Sequence, residues 1–407
     1  MKIKIIILIL FTMMYSYDSY ISFYGSGEKI SKLNPSNISL GWSKLFDSNT
    51  NHYIGSLSGL FNSNKVRLTM ASDFNFNSVN DNLYFSQKFN YFSVLFPIKN
   101  DKSAIGLSLA PLYRINTNII ENEYNFIQGN EENPPYAYKT EYDFEGGPSI
   151  ASLMFSTKGF NYLDFESSIG IQINYIFGSL YSHVKHSTFD IVYDENGNIQ
   201  PTNEINDYYT TISSYSGYGF EIQFSISNNK HELITSFNVS DEIDINFSFY
   251  DDVVPEQLEL GVNPDQENIY NLTSPFEINL GYAYKINQKS KIVLEYYKYS
   301  PYESSLNFNL FNNSDVNKNR ISLGYFTSAL NNRLSLSSGL YNINTYNDQL
   351  ESNKNGLTFG LGIYTIPNFS LDLCLELGQN KIEFNESLSE KYINLYLGIT
   401  AADTWFK

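Results

Sequence analysis

The chain has 407 residues and a net charge of −17; only 17% of its residues are charged and 16% are aromatic, with 34 Tyr and 30 Phe against 2 Trp. That acidity excludes a nucleic-acid partner, because a phosphate backbone needs a basic surface. The single cysteine, Cys374, excludes an intramolecular disulfide.

Met1 to Lys4 carry two lysines, Ile5 to Met14 form an apolar run, and Ser16 or Ser19 supplies a small residue for cleavage. This is the pattern of a secretory signal peptide, assigned to residues 1–18. The alternative is an anchoring helix, but spanning a bilayer takes about 20 apolar residues and this run is shorter. No Cys follows it to carry a lipid, and no later segment is apolar enough for a transmembrane helix. Membrane insertion therefore has to be by strands.

Residues 19–62 are irregular and polar. They hold Gly25-Ser26-Gly27, then Asn34-Pro35-Ser36-Asn37, then the strand-like Ile38-Ser39-Leu40-Gly41-Trp42. A segment with no core of its own has to lean on something else.

From residue 63 onward the period is two. Strands are expected near 64–76, 83–97, 102–116, 140–158, 163–189, 207–227, 230–250, 273–287, 289–301, 317–328, 332–345, 355–366, 368–380 and 390–400, which makes fourteen. Tight connections fall at Lys99 to Asp101, Lys158 to Asn161, Asn228-Asn229, Asn287-Gln288, Leu330-Asn331 and Pro367. Longer ones alternate with them: Asn77 to Asn82, Thr117 to Lys139, Asp190 to Asn206, Asp251 to Leu272, Tyr302 to Val316, Tyr346 to Lys354 and Lys381 to Ser389. Short periplasmic turns alternating with longer extracellular loops are the pattern of an outer-membrane barrel.

Side-chain parity agrees. In the hairpin around Pro367-Asn368, Leu357, Phe359, Leu361 and Ile363 share one face with Phe369, Leu371, Leu373, Leu375 and Leu377. The other face carries Thr358, Gly360, Gly362, Ser370, Asp372, Cys374 and Glu376. Similar alternation marks Val66 to Phe76, Ile105 to Tyr113, Ile169 to Phe177, Tyr218 to Ile226, Phe276 to Tyr284 and Ile393 to Ile399. The strands near 83–97 and 140–158 do not alternate cleanly, so their register stays open. A soluble all-β protein would also alternate, but it would not combine long strands, paired turn lengths and an export signal.

With its export signal, its Gly- and Asn-Pro-containing leader and about fourteen strands, the chain resembles the FadL-like group of outer-membrane barrels, the long-chain fatty-acid transporter type. Asn34-Pro35-Ser36 stands where that group tends to carry Asn-Pro-Ala. Asp403-Thr404-Trp405-Phe406 is similar to the C-terminus of related PorV-like barrels, some of which serve as secretion or surface-attachment partners. The resemblance implies an all-β transmembrane barrel in the bacterial outer membrane, over residues 63–407. Residues 19–62, with Asn34 and Pro35, would plug its lumen. Two departures stand out: the leader is compact, and Lys407 follows the usual terminal aromatic.

Enzymatic readings find little footing. His183 and His186 are three apart, which on a strand places them on opposite faces, so no zinc pair forms. Asp372 and Glu376 share the inward parity, but four strand residues separate them by about 13 Å, too far for a retaining acid–base pair. Asp194-Glu195-Asn196-Gly197-Asn198 departs from a calcium loop in the place of its Gly and lacks the bidentate Glu, which leaves a turn. No nucleophile elbow or phosphate loop occurs, so neither catalysis nor a cofactor is expected.

Two functions remain. One is a channel for hydrophobic compounds such as long-chain fatty acids, in contact with outer-membrane lipid, where an inward basic group would meet a carboxylate. The four arginines, Arg67, Arg114, Arg320 and Arg333, all fall on the inward parity of the expected strands. The other is a non-conducting scaffold whose long loops bind secreted or surface proteins.

Overall fold

The computed structural model describes residues 28–29, 33–47, 56–79, 82–99, 101–120, 125–127, 135–162, 164–193, 199–253, 257, 262–272, 276–299, 317–346, 351–366, 368–383 and 387–404. The signal-peptide stretch 1–18, Gly25-Ser26-Gly27, the acidic turn at 194–198 and Trp405-Phe406 lie outside these residues.

Two short segments, β1 (Glu28–Lys29) and β6 (Asn125–Ile127), pair with the wall without being staves of it. The wall begins with β2 (Val66–Val79), β3 (Asn82–Lys99), β4 (Ser103–Pro111) continued by β5 (Tyr113–Ile120), and β7 (Tyr136–Gly146) continued by β8 (Ser149–Tyr162). It goes on through β9 (Phe165–Tyr193), β10 (Ile199–Ser227), β11 (His231–Asp251), β12 (Gln266–Leu272) continued by β13 (Phe276–Asn287), and β14 (Ser290–Tyr299). It ends with β15 (Asn317–Ala329), β16 (Leu334–Tyr346), β17 (Glu351–Ile366), β18 (Phe369–Glu383) and β19 (Ser387–Asp403). Counting each continued strand once gives the fourteen staves expected. All neighbours are antiparallel, and β19 pairs with β2 from Glu390↔Val79 to Asp403↔Val66, which closes the ring. Closure at β19–β2 removes the sheet edge that hydrocarbon could not solvate; one local break remains between β3 and β5.

The side-chain pattern sets inside and outside. Leu357 and Phe359 on β17, Leu375 on β18 and Ile393 and Leu395 on β19 are exposed outward, whereas Thr358, Asp372, Cys374, Glu376 and Asn394 of the opposite parity are buried. The register Leu357↔Leu377↔Ile393↔Phe76 runs one apolar row across four strands. An exposed apolar band around a closed barrel is what a hydrocarbon layer requires.

Both strands of unsettled parity contain a break. Between Ala71 and Ser72 the β2–β3 register slips by one residue, at Asn90. A bulge of one residue moves every later side chain to the other face, so Phe85 and Phe89 face out on one side of it and Tyr91 and Leu95 face in on the other. The 140–158 strand is really β7 and β8, split at Gly146-Gly147-Pro148, with φ of 103° and 121° at the two glycines. Only glycine adopts such angles without strain.

The strict alternation of turn lengths does not hold. The connections 121–135, 252–265 and 300–316 are long, but those at 80–81, 347–350 and 384–386 are as short as the periplasmic turns and that at 194–198 has only five residues, because the strands there run on. β9 and β10 have 29 residues each and pair from Glu166↔Ser227 to Tyr193↔Ile199. At roughly 3.3 Å per residue each is about 95 Å long, well beyond the 9–11 residues that cross a bilayer. Their far halves therefore stand outside the membrane.

Candidate functional site: the lumen and a break in its wall

Residues 33–47 and 56–63 lie against the inward face. Asn34-Pro35-Ser36-Asn37 opens a single helical turn, Pro35–Ile38, with Pro at its first position, where its missing N–H costs nothing. Asn37 fixes the turn at both ends: its Oδ1 accepts from Asn34 N at 3.3 Å, and its Nδ2 donates to Phe46 O at 2.7 Å. Leu40, Leu45 and Phe46 then pack against Ile234, Ala283, Val293 and Phe326, while Leu57 and Leu60 pack on Leu95 and Ala104.

Two buried wall carboxylates hold this segment. Glu295 on β14 accepts from Ser43 Oγ at 2.7 Å, Lys44 N at 2.9 Å and Leu45 N at 2.9 Å, and it pairs with Arg320. Glu376 on β18 accepts from Trp42 Nε1 at 2.8 Å and Asn394 Nδ2 at 2.9 Å, and also from the hydroxyls of Tyr341 and Tyr396. Lys44 Nζ lies 3.0 Å from Glu221 and 3.7 Å from Glu277. Gln223 accepts from Ser56 Oγ at 2.7 Å and Ser58 N at 2.6 Å. Charged hydrogen bonds of this kind are among the stronger ones in a protein.

Inward glycines give the segment room. A Cβ on Gly339 would collide with Gly41 N, one on Gly324 would come 2.8 Å from Leu40 O, and one on Gly170 would come 2.5 Å from Leu57 C. Gly281 faces Phe46 and Leu45, Gly360 faces Ser39, and Gly398 faces Asn34 and Pro35. The signal for this docking track was present in the sequence as glycines on the polar parity. Glu295 was not singled out, since its partners are about 250 residues away.

The arginines are not brought together. Arg320 is buried, paired with Glu295 and set over the Tyr297 ring at 5.1 Å. Arg114 braces the wall bend, donating to Gly147 O, Pro148 O and Ser149 Oγ. Arg67 is buried on the inward parity of β2. Arg333 is a correction: it stands exposed in the turn after β15, outside the lumen. Leu330, Asn331 and Asn332 all have positive φ, so that turn runs longer than the two residues expected and β16 starts only at Leu334. His183 and His186 take separate partners, Thr210 and Thr140.

The wall itself parts at one place. β3 pairs with β4 only from Phe92 to Lys99; among the described residues, no strand pairs with that edge of β3 over 82–91. β5 turns away after Leu112, pairing with β7 on one side and with β1 on the other, through Glu28↔Arg114 and Lys29↔Tyr113. At the foot of this break the inward parity turns apolar. Ala71, Tyr91, Ala110, Ile150, Ile176 and Ile243 form one buried cluster, with Leu112 and Tyr215 packed on it. The register ties them into a row: Ala71↔Tyr91, Ala110↔Ile150↔Ile176, and Gly217 opposite both Ile176 and Ile243. Elsewhere the inward face is mainly Ser, Thr, Asn, Gln and Glu.

A closed fourteen-stave barrel with an outward apolar belt and an inward polar face defines a bacterial outer-membrane β-barrel. Three solved structures share the fold. A Pseudomonas aeruginosa FadL homologue has TM-score 0.57 and 10% identity, over 93% of this chain and 100% of that one. The CymD monoaromatic hydrocarbon channel has TM-score 0.53 and 11% identity, over 91% and 97%. The Pseudomonas putida toluene transporter TodX has TM-score 0.50 and 10% identity, over 92% and 100%. At such identities the likeness speaks to fold: the FadL-like expectation holds at that level, and PorV-like barrels have no counterpart among the three.

The chain belongs to the BamG family, whose model matches residues 1–407. That family name differs from the one the sequence suggested. No curated protein sequence matches this one.

Proposed function

We propose that the barrel passes hydrophobic compounds across the outer membrane, with residues 19–62 occluding the straight path through the lumen and the break between β3 and β5 serving as a lateral way out. The observation that carries this reading is the row from Ala71 to Ile243, placed at the foot of the break: unlike the inward apolar patches that pack against Leu40, Leu45 and Phe46 or against Leu57 and Leu60, its cluster takes in no residue of 33–47 or 56–63. A polar pore has no use for such a stripe, whereas a compound leaving water for lipid gains roughly 25 cal/mol per Å² of apolar surface it buries there. The transport named for CymD and TodX supports the same direction.

The substrate class follows from the arginines. Arg114 and Arg320 already satisfy wall carbonyls and a wall carboxylate, and the inward Arg67 has the Asp47 carboxylate as a neighbouring charge, so none of the three is spare to meet a fatty-acid headgroup. Uncharged hydrocarbons therefore suit the stripe better than long-chain fatty acids. The scaffold reading draws on one feature, the projecting β9–β10 ladder, which offers a partner an extended surface outside the membrane. A photoactivatable hydrophobic probe separates the two. Labelling concentrated on peptides containing Tyr91, Ile150 and Ile176 supports passage; labelling confined to the outer belt overturns it.

A further inference from the structure

Tyr91 is the polar member of the inward apolar row. It is 4% exposed, its ring packs in the cluster with Ala71, Ala110, Ile150, Ile176 and Ile243, and among the described residues its Oη makes no hydrogen bond. A buried tyrosine hydroxyl ordinarily finds a partner. Phenylalanine would fill the same space without an unsatisfied polar atom, so packing alone does not account for the oxygen.

A second unsatisfied group lies along the same tier of the wall. Asp372, Gly398, Ala71 and Tyr91 are register partners on the successive strands β18, β19, β2 and β3, and all four are buried on the inward face. Asn34 of the N-terminal segment sits on Gly398, whose Cβ would come 2.5 Å from Asn34 Oδ1, and the buried Asn34 Nδ2 has no partner among the described residues. Only the Ala71 methyl stands between Gly398 and Tyr91, whose backbones are two strand spacings, or about 10 Å, apart.

The charges acting on the Tyr91 hydroxyl are the carboxylates of Asp47 and Asp372. Asp47 also neighbours Arg67, and Asp372 accepts from Tyr364 at 3.0 Å, but neither carboxylate bonds the Tyr91 oxygen. Hydroxyl dipoles orient in the field around them. Two negative charges turn the hydrogen toward themselves and leave the oxygen lone pairs to accept.

We propose that Tyr91 and Asn34 select hydroxylated aromatic compounds, alkylphenols above all, from among the uncharged molecules that enter the row. The ring and alkyl chain lie on the apolar residues, the ligand O–H donates to Tyr91 Oη, and the ligand oxygen accepts from Asn34 Nδ2. A hydroxyl is one donor and two acceptor sites, so a single group satisfies both unpartnered atoms. This assignment rests on the reading of the row as the path of passage, and it deepens that reading by naming a substrate class.

The test is equilibrium binding of tritiated ligands to the full chain in nanodiscs, with the signal from empty nanodiscs subtracted. Butylbenzene, 4-butylphenol and 4-butylanisole share a ring and a chain, and the phenol alone carries an O–H. Wild-type protein is expected to bind 4-butylphenol about tenfold tighter than the other two. Tyr91→Phe should lose that preference while holding butylbenzene within twofold of the wild type, and Asn34→Ala should weaken 4-butylphenol about threefold without changing butylbenzene. Heat-modifiable migration confirms assembly of each variant. Equal wild-type affinity for the phenol and the anisole, unchanged 4-butylphenol binding in either variant, or loss of all three ligands alike in Tyr91→Phe would overturn the assignment while leaving hydrophobic passage standing. Binding of none of the three by the wild type would overturn both.

Discussion

Gly339 on β16 lies directly beneath Gly41 of the N-terminal segment: any side chain on the wall residue would strike the backbone nitrogen of the other. The contact joins residues almost 300 positions apart, and it works only because one side supplies no Cβ and the other turns through a φ of 78°.

Gly339→Ala is therefore expected to push Leu40-Gly41 off the wall, because the obstacle is backbone and cannot rotate aside. Overpacking of this kind costs typically about 1–3 kcal/mol. Limited proteolysis should cut within residues 33–47 in the variant and spare them in the wild type. Gly106→Ala, whose Cβ would meet the flexible Met154 Cε at 2.9 Å, should remain protected.

Replacing Glu295 should free the same segment from its other side. Glu295→Ala leaves Ser43 Oγ, Lys44 N and Leu45 N without their acceptor and Arg320 without its counter-charge. Each orphaned buried donor costs about 1–3 kcal/mol, and losing one partner of a buried ion pair costs about 3–5 kcal/mol. The expected result in planar bilayers is a higher ion conductance with the barrel intact. Glu295→Gln, which can still accept hydrogen bonds, should show a smaller rise.

The belt can be tested on one strand. Leu373 faces out and Asp372 faces in, where it accepts from Tyr364 at 3.0 Å. Leu373→Arg should cost about 2–4 kcal/mol near the midplane and reduce the fraction of protein that migrates as the folded form in unboiled gels. Asp372→Asn keeps an acceptor for Tyr364 and should assemble as the wild type does. Gly362→Ser is no such neutral change, because its Cβ would crowd the Tyr364 and Ser335 hydroxyls.

Parity carried most of the fold. Wherever β-strands run without interruption, as in β17 to β19, alternate residues alone distinguish lipid from lumen. Parity failed where one residue was added, at Asn90, or where the strand broke, at Gly146-Gly147, because a single insertion inverts everything after it. Only the tips of β9 and β10, residues 190–193 and 199–206, read as a loop, since polar residues outside the membrane no longer alternate against hydrocarbon. At the site, Glu376 was legible as an inward carboxylate, but its four donors come from two wall strands, β16 and β19, and from Trp42, a convergence that depends on the pairing of β16 to β19 and on where Trp42 docks. Arginine parity was a weaker guide. It placed Arg320 inside without revealing Glu295, and it misplaced Arg333 by running β16 into its turn.

The most direct test of the account is flux of an uncharged aromatic hydrocarbon into proteoliposomes, comparing wild-type protein with Ile176→Asp. Ile176 belongs to the inward apolar row and lies apart from the contacts of residues 33–47 with the wall. Protein-dependent uptake is expected, falling about tenfold in the variant while ion conductance and heat-modifiable migration stay unchanged. Uptake no faster than in empty liposomes, or equal uptake by both proteins, would contradict it.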